Sequence, residues 1–140
     1  MAEFLSDAWI EELDQAARDA PSLAAIGAER PLVVEQRVRR GTDEVVYSLC
    51  FTADGARVTA GPAESPHVVV RTDASTARAL QQGTMNAQQA AVAGHLKIQG
   101  QAEHLRAAGD ALRAAGDVFE SVRASTTDPP GLDTGATGRR

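Results

Sequence analysis

The side chains able to do covalent or acid–base chemistry are sparse in this sequence and poorly spaced for it. Histidine occurs three times, at His67, His95 and His104, with no pair four residues apart as a helical metal site would need. Cys50 is the single cysteine, so no disulfide can form within the chain and no CxxC metal or redox pair exists. It sits between Leu49 and Phe51 in an alternating stretch, which suits a small packed side chain better than a nucleophile. Ser48 and Ser65 are near His67 in sequence only, and no GxSxG frames either serine. Neighbouring acids, Glu11 with Glu12 and Asp43 with Glu44, read as solvated faces, and the phosphate cradles GxxxxGK and GxGxxG are missing. The expectation is a protein that is not an enzyme, with no catalytic residues, no metal and no cofactor.

Composition narrows the partners further. The chain of 140 residues is 43% hydrophobic and 24% charged, the balance of one ordinary globular domain. Its net charge of −5 argues against nucleic acid, whose binding rests on clustered Lys and Arg, and a 4% aromatic content argues against a base-stacking platform. No apolar run approaches the roughly 18 residues of a spanning helix, so no integral membrane segment is expected. The N-terminus carries acids early and lacks a basic start followed by an apolar stretch, so a cytoplasmic protein is expected rather than an exported one.

Periodicity then supplies the elements. Ser6 is placed to cap a first helix, with Leu5 and Ile10 as a hydrophobic staple and Trp9, Leu13, Ala16, Ala17 and Ala20 at helical spacing before Pro21 stops or bends it. From Leu32 to Thr72 the period becomes two, punctuated by turn residues, which predicts a run of antiparallel strands. Leu32, Val34 and Val38 share one apolar face with Val45, Tyr47, Leu49, Phe51, Val58, Val68 and Val70, and the other face is mostly polar. Asp73 and Asn86 are placed to cap two short helices, the first ended by Gly83 and the second by Gly94. In HLKIQG, Leu96 and Ile98 point inward along a last strand.

A near-duplication, LRAAGDA then LRAAGDV, places Leu105, Ala108, Leu112, Ala115, Phe119 and Val122 in one helical stripe. Gly109 and Gly116 weaken that helix, so it should rely on tertiary contacts. The predicted domain covers residues 1–123, and a disordered tail is expected over 124–140, which is rich in turn formers. The predicted fold class is α+β (α/β): a mostly antiparallel sheet of about five strands with helices covering one face.

With the elements in place, DASTARALQQGTMNAQQAAVAGHLKIQGQAEHL, Asp73 to Leu105, resembles the signature of the sterol carrier protein type 2 family. The shared features are an acidic residue opening a helix, a Gly, a second helix ending at Gly, and a G-x-L-K-I-x-G strand, here Gly94 to Gly100, leading into the last helix. The upstream VVYSLCFTADGARVTAG is similar to the family's early strands, and Gln101 stands where some members carry an acidic residue. The resemblance implies a hydrophobic tunnel between sheet and helices and a non-catalytic role in binding or transferring a fatty acid, fatty acyl-CoA or sterol.

On that reading the tunnel walls are placed at Leu80, Met85, Val92, Leu96, Ile98, Leu105, Leu112 and Phe119. Lipid is the expected partner. The alternatives are an interaction or homodimerisation module with a filled core, using Leu112, Phe119 and Val122 as its contact stripe, or an accessory domain to a lipid- or CoA-using enzyme. Arg37, Arg39, Arg57 and Arg71 on the outer sheet face form a basic surface that either is merely solvated or holds an anionic group.

Overall fold

A computed structural model describes residues 2–128. Its sheet has five strands, β1 (Leu32–Arg40), β2 (Asp43–Thr52), β3 (Gly55–Ala60), β4 (Val68–Asp73) and β5 (Leu96–Gly100), in the order β3-β2-β1-β4-β5. Register follows the alternation: Val34 sits between Leu49 of β2 and Val68 of β4, and Gln36 between Tyr47 and Val70. All strand pairs are antiparallel except β1 with β4, which is parallel.

That one parallel pair departs from the antiparallel run expected over Leu32 to Thr72. After β3 the chain crosses to the far side of β1 instead of returning beside its predecessor. The crossing loop lies on the outer face, where the Ser48 hydroxyl donates to the Gly61 carbonyl at 3.0 Å and the Ala63 amide to a Glu35 carboxylate oxygen at 3.0 Å. His67 completes the docking by donating its amide to the Val33 carbonyl and accepting the Val33 amide at Nδ1. This cover explains why Glu35 and Ser48 are buried although they alternate with the apolar positions.

The helices cover the inner face. In α1 (Asp7–Arg18) the Ser6 hydroxyl caps the first turn by accepting from the Trp9 amide, as its position suggested, and Leu5 and Ile10 are both buried. Pro21 does end α1, but it also starts α2 (Pro21–Glu29) from its first position, where its missing N–H costs nothing. In α3 (Ala74–Gln82) Asp73 caps by accepting from the Thr76 amide, and Gly83, with φ +80°, closes the helix in the left-handed conformation. The expected capping box of Asn86 with Gln89 forms at α4 (Ala87–Val92). The stripe-bearing C-terminal helix is α5 (Ala102–Val118), followed after Phe119 by the short α6 (Glu120–Ser125).

The expected tail does not begin at 124. Thr127 pairs with the other end of the chain, donating its amide to the Ala2 carbonyl at 2.9 Å and accepting from the Phe4 amide at 2.8 Å. Arg78, buried on α3 and stacked over the Phe4 ring, donates to the Thr126 carbonyl and pairs with Asp128. Side-chain and backbone acceptors within reach of an otherwise costly buried guanidinium therefore hold residues 124–128 in place. The remainder of that expectation, residues 129–140, lies outside the described residues.

Two contacts fix helices to the sheet edge. Asp14 of α1 accepts from Arg57 Nε at 2.9 Å and from the Val58 amide at 2.8 Å. Burial alone would raise its carboxyl pKa, but the bonds from Arg57 and Val58, with the charges of Arg57 and Arg18, outweigh burial and hold it below the ordinary value. Gly27 of α2 approaches the Thr52 backbone so closely that a Cβ there would collide with it.

Gly27→Ala is therefore expected to destabilise by about 1–3 kcal/mol through overpacking, despite the roughly 1 kcal/mol that Ala gains over Gly in a helix. Gly109→Ala, where nothing lies within 4 Å, should stabilise. Urea unfolding of both variants should thus give shifts of opposite sign. Asp14→Ala leaves the Val58 amide without its acceptor, for about 1–3 kcal/mol at neutral pH. Because the folded-state pKa of Asp14 is depressed, the wild-type advantage is full above the ordinary carboxylate pKa of about 4 and shrinks as pH falls through the lower folded value. Thermal melts from pH 7 to pH 2 should show the two curves converging at the acid end.

Candidate functional site

Between the inner sheet face and the helices lies a cavity of about 230 Å³. Its floor is Gln36, Tyr47 and Leu49, brought together because Gln36 and Tyr47 are register partners and Leu49 follows two residues later on the same face. Trp9 and Leu13, one turn apart on α1, form one wall, and Ala77, Leu80 and Gln81 of α3 form another. The α5 wall is Leu112, Ala115 and Gly116, at the i, i+3, i+4 spacing of a single helix face. Phe4, Phe119 and Arg123 complete the lining.

The space has a local cause. At Ala77, Ala115 and Gly116 the helices present a methyl group or less where a leucine would reach the sheet. The volume exceeds the roughly 150 Å³ of a dry apolar cavity that admits benzene, and approaches the lower bound of about 300 Å³ for small-molecule sites.

A few polar groups interrupt the apolar lining. Trp9 is packed edge-on against Phe4 and Tyr47, with ring centroids 5.0 Å and 5.6 Å away, and its indole Nε1 is buried with no hydrogen-bond partner among the described residues. An unpaired buried N–H costs about 1–3 kcal/mol, so an acceptor from a guest would be welcome there. The Tyr47 hydroxyl and the Gln36 amide also make no hydrogen bond among the described residues. Burial pushes the Tyr47 phenol pKa up, which keeps it a neutral donor. Tyr47 is half-buried, and part of its surface faces the cavity. Among the described residues Arg123 is the one charged side chain in the lining; it donates to the Gln81 carbonyl at 3.1 Å and has no carboxylate partner there.

Of the eight wall positions expected from sequence, Leu80, Leu112 and Phe119 line this cavity. Leu96 is buried in the core, and Met85 and Leu105 pack half-buried against it, but none of the three borders the cavity. Val92 and Ile98 do not fit the expectation. Val92 is 85% exposed because α4 turns Ala90 inward, and a residue two positions later points to nearly the opposite side of a helix. Ile98 keeps the inward register opposite Val70 but lies on an edge strand and is 43% exposed.

Sequence reading missed Phe4, Trp9, Leu13, Gln36, Tyr47, Leu49 and Arg123 as lining residues. Tyr47 and Leu49 had been assigned to the inner face, but nothing local tells a residue that floors a void from one that fills a core. The groups with chemical capacity lie elsewhere. His67 and His104 meet, with ring centroids 4.7 Å apart, but His67 Nδ1 is occupied by the Val33 amide. Burial raises the Cys50 thiol pKa, opposed by the charge of Arg57, so Cys50 is poorly suited as a thiolate nucleophile.

No helix among the described residues is long and apolar enough to cross a membrane. No curated protein matches the chain. Among solved structures, it is similar to a conserved hypothetical protein of Thermus thermophilus, at 16% identity and a TM-score of 0.68, covering 94% of each chain. A crystal structure of sterol carrier protein 2 matches with 18% identity and a TM-score of 0.65, over 86% of this chain and 98% of that one. The sterol carrier protein domain 2 of Helicoverpa armigera matches with 24% identity and a TM-score of 0.61, over 82% and 91% respectively. At these identities the likeness is one of fold, the five-stranded mixed sheet with helices on one face. The sequence model of the SCP-2 sterol transfer family matches residues 11–113, most of the length, and the chain belongs to that family.

Proposed function

We propose that this protein is a non-catalytic carrier whose cavity shelters the apolar part of a single-chain lipid, with the lipid's polar end met by Arg123 or by the neutral donors of Trp9, Tyr47 and Gln36. The observation that carries the reading is the cavity of about 230 Å³ walled mainly by apolar side chains. Each methylene taken from water into such a space gains about 0.8 kcal/mol, so contact alone can hold a ligand without a binding motif. Membership of a sterol transfer family supports the same reading.

A fatty acid satisfies the lining best. Its chain matches the apolar walls, and its carboxylate matches the one cation, which has bonding capacity left after its single contact with Gln81. A ligand longer than the cavity requires the helices to yield, and in α5 Gly109 and Gly116 each weaken the helix by about 1 kcal/mol relative to Ala.

Native mass spectrometry of the purified chain should detect co-purified or added fatty acid at one per protein, and a fluorescent fatty acid should be displaced by it. Ala115→Phe and, separately, Leu80→Trp fill the space from opposite walls and should each weaken that binding at least tenfold while leaving the circular dichroism spectrum unchanged. Arg123→Gln should weaken fatty acid binding several-fold and leave a fatty alcohol of the same length unaffected. No uptake of any chain length, or undiminished uptake by both filled variants, refutes the carrier reading.

A further inference from the structure

The outer face of the sheet carries an arrangement that the cavity does not explain. Arg37, Arg71 and Lys97 are register partners in a row across β1, β4 and β5, and Arg39 follows Arg37 two residues later on the same face. Like charges side by side on neighbouring strands are destabilising. The chain as a whole carries −5, and Lys97 is its one lysine, so overall charge balance does not account for four cations gathered in one place.

Nearby acids compensate only part of this charge. Glu35 at 2.6 Å and Glu44 at 3.0 Å both hold Arg37. Asp73 is engaged as the cap of α3, accepting from the Thr76 amide and the Ser75 hydroxyl, with His95 Nδ1 3.9 Å from its other oxygen. Arg71 donates to the amide oxygen of Gln99, a neutral partner, at 3.3 Å. Arg39 and Lys97 have no ion pair among the described residues. These side chains border a concavity of about 300 Å³ that ends against Thr72, Gly94 and His95.

We propose that this concavity is a binding site for a phosphate-bearing anion, a phosphomonoester or a diphosphate group. Two arginine forks match the tetrahedral oxygens of phosphate, and Lys97 supplies a compact point charge beside them. Three cations without carboxylate partners call for more than the single charge of a carboxylate ligand. The concave shape suits a discrete group entering it better than adsorption along a flat surface. The sheet lies between this site and the cavity, so its occupancy does not depend on what the cavity holds.

The test titrates the ¹⁵N-labelled full chain with sodium pyrophosphate, against sodium chloride at equal ionic strength, and follows the amide resonances. A parallel arm measures co-sedimentation with phosphatidylcholine vesicles with and without phosphatidylglycerol. Saturable shifts at Arg39, Arg71 and Lys97 with pyrophosphate but not chloride are expected, with affinity at least tenfold weaker in the Arg71→Gln/Lys97→Gln variant and in Arg39→Gln. Thermal melts of these exposed-site variants at or above that of the wild type exclude misfolding as the cause, relief of the like-charge row raising them. Binding to the anionic vesicles alone, lost in the same variants, also supports the site and assigns the phosphate to lipid head groups. No response in either arm, a response that chloride reproduces, or undiminished binding by the variants overturns the proposal.

Discussion

The cavity depends on how the helices are held at a distance from the sheet. Where helices present alanine or glycine to a sheet, as at Ala77, Ala115 and Gly116, they would ordinarily settle closer, because dispersion and burial favour contact over empty space. Here the attachments are at the perimeter. Asp14 fixes α1 to β3 through Arg57 and the Val58 amide, Gly27 seats α2 on the Thr52 backbone, and Arg78 binds α3 to Thr126 and Asp128. Between these points Ala77 and Ala115 face the floor without filling the gap. Contacts at the rim thus hold the helices, and between them the small apolar side chains leave space unfilled.

The two faces of the sheet have different uses. The inner face carries aliphatic and aromatic residues and the cavity. On the outer face the loop from Gly61 to His67 covers one part by bonding to Ser48, Glu35 and Val33, and the part it leaves uncovered is the arginine-rich part. A sheet only one residue thick can separate opposite chemistries because successive side chains alternate between its faces.

Local patterns were legible in the sequence, and distant ones were not. The caps at Ser6, Asp73 and Asn86, the left-handed Gly83 and the alternation of β1 and β2 depend on interactions within a few residues, and sequence reading found them. The parallel partnership of β4 depends on where a loop docks, and nothing in Val68–Asp73 itself distinguishes it from the next strand of a meander. Pro21 reads as the end of α1 or a bend in it because Ala20 offers no side-chain cap to announce a second helix, although a first-position proline opens a helix as readily as it closes one. Apolar character suggests Val92 as a wall and strand alternation suggests Ile98, whereas helix phase and edge position leave them exposed. The cavity was legible as a layer, between sheet and helices. Its membership was not, because Phe4, Trp9 and Arg123 reach it from sequence positions far from the central motif.

The short pairing of Glu3 with Thr127 joins nearly the first and last described residues, and Phe4 and Arg123 beside it are both lining residues. A contact with so large a sequence separation closes a long loop, at an entropy cost that grows only slowly with loop length. In chain order the five strands and helices α1 to α4 all precede residues 102–127, so what the inner layer lacks before this seam closes is the cover of α5 and α6. The open side of the inner layer is thus the side that α5 closes, and the seam between Glu3 and Thr127 secures that closure from both ends of the described chain.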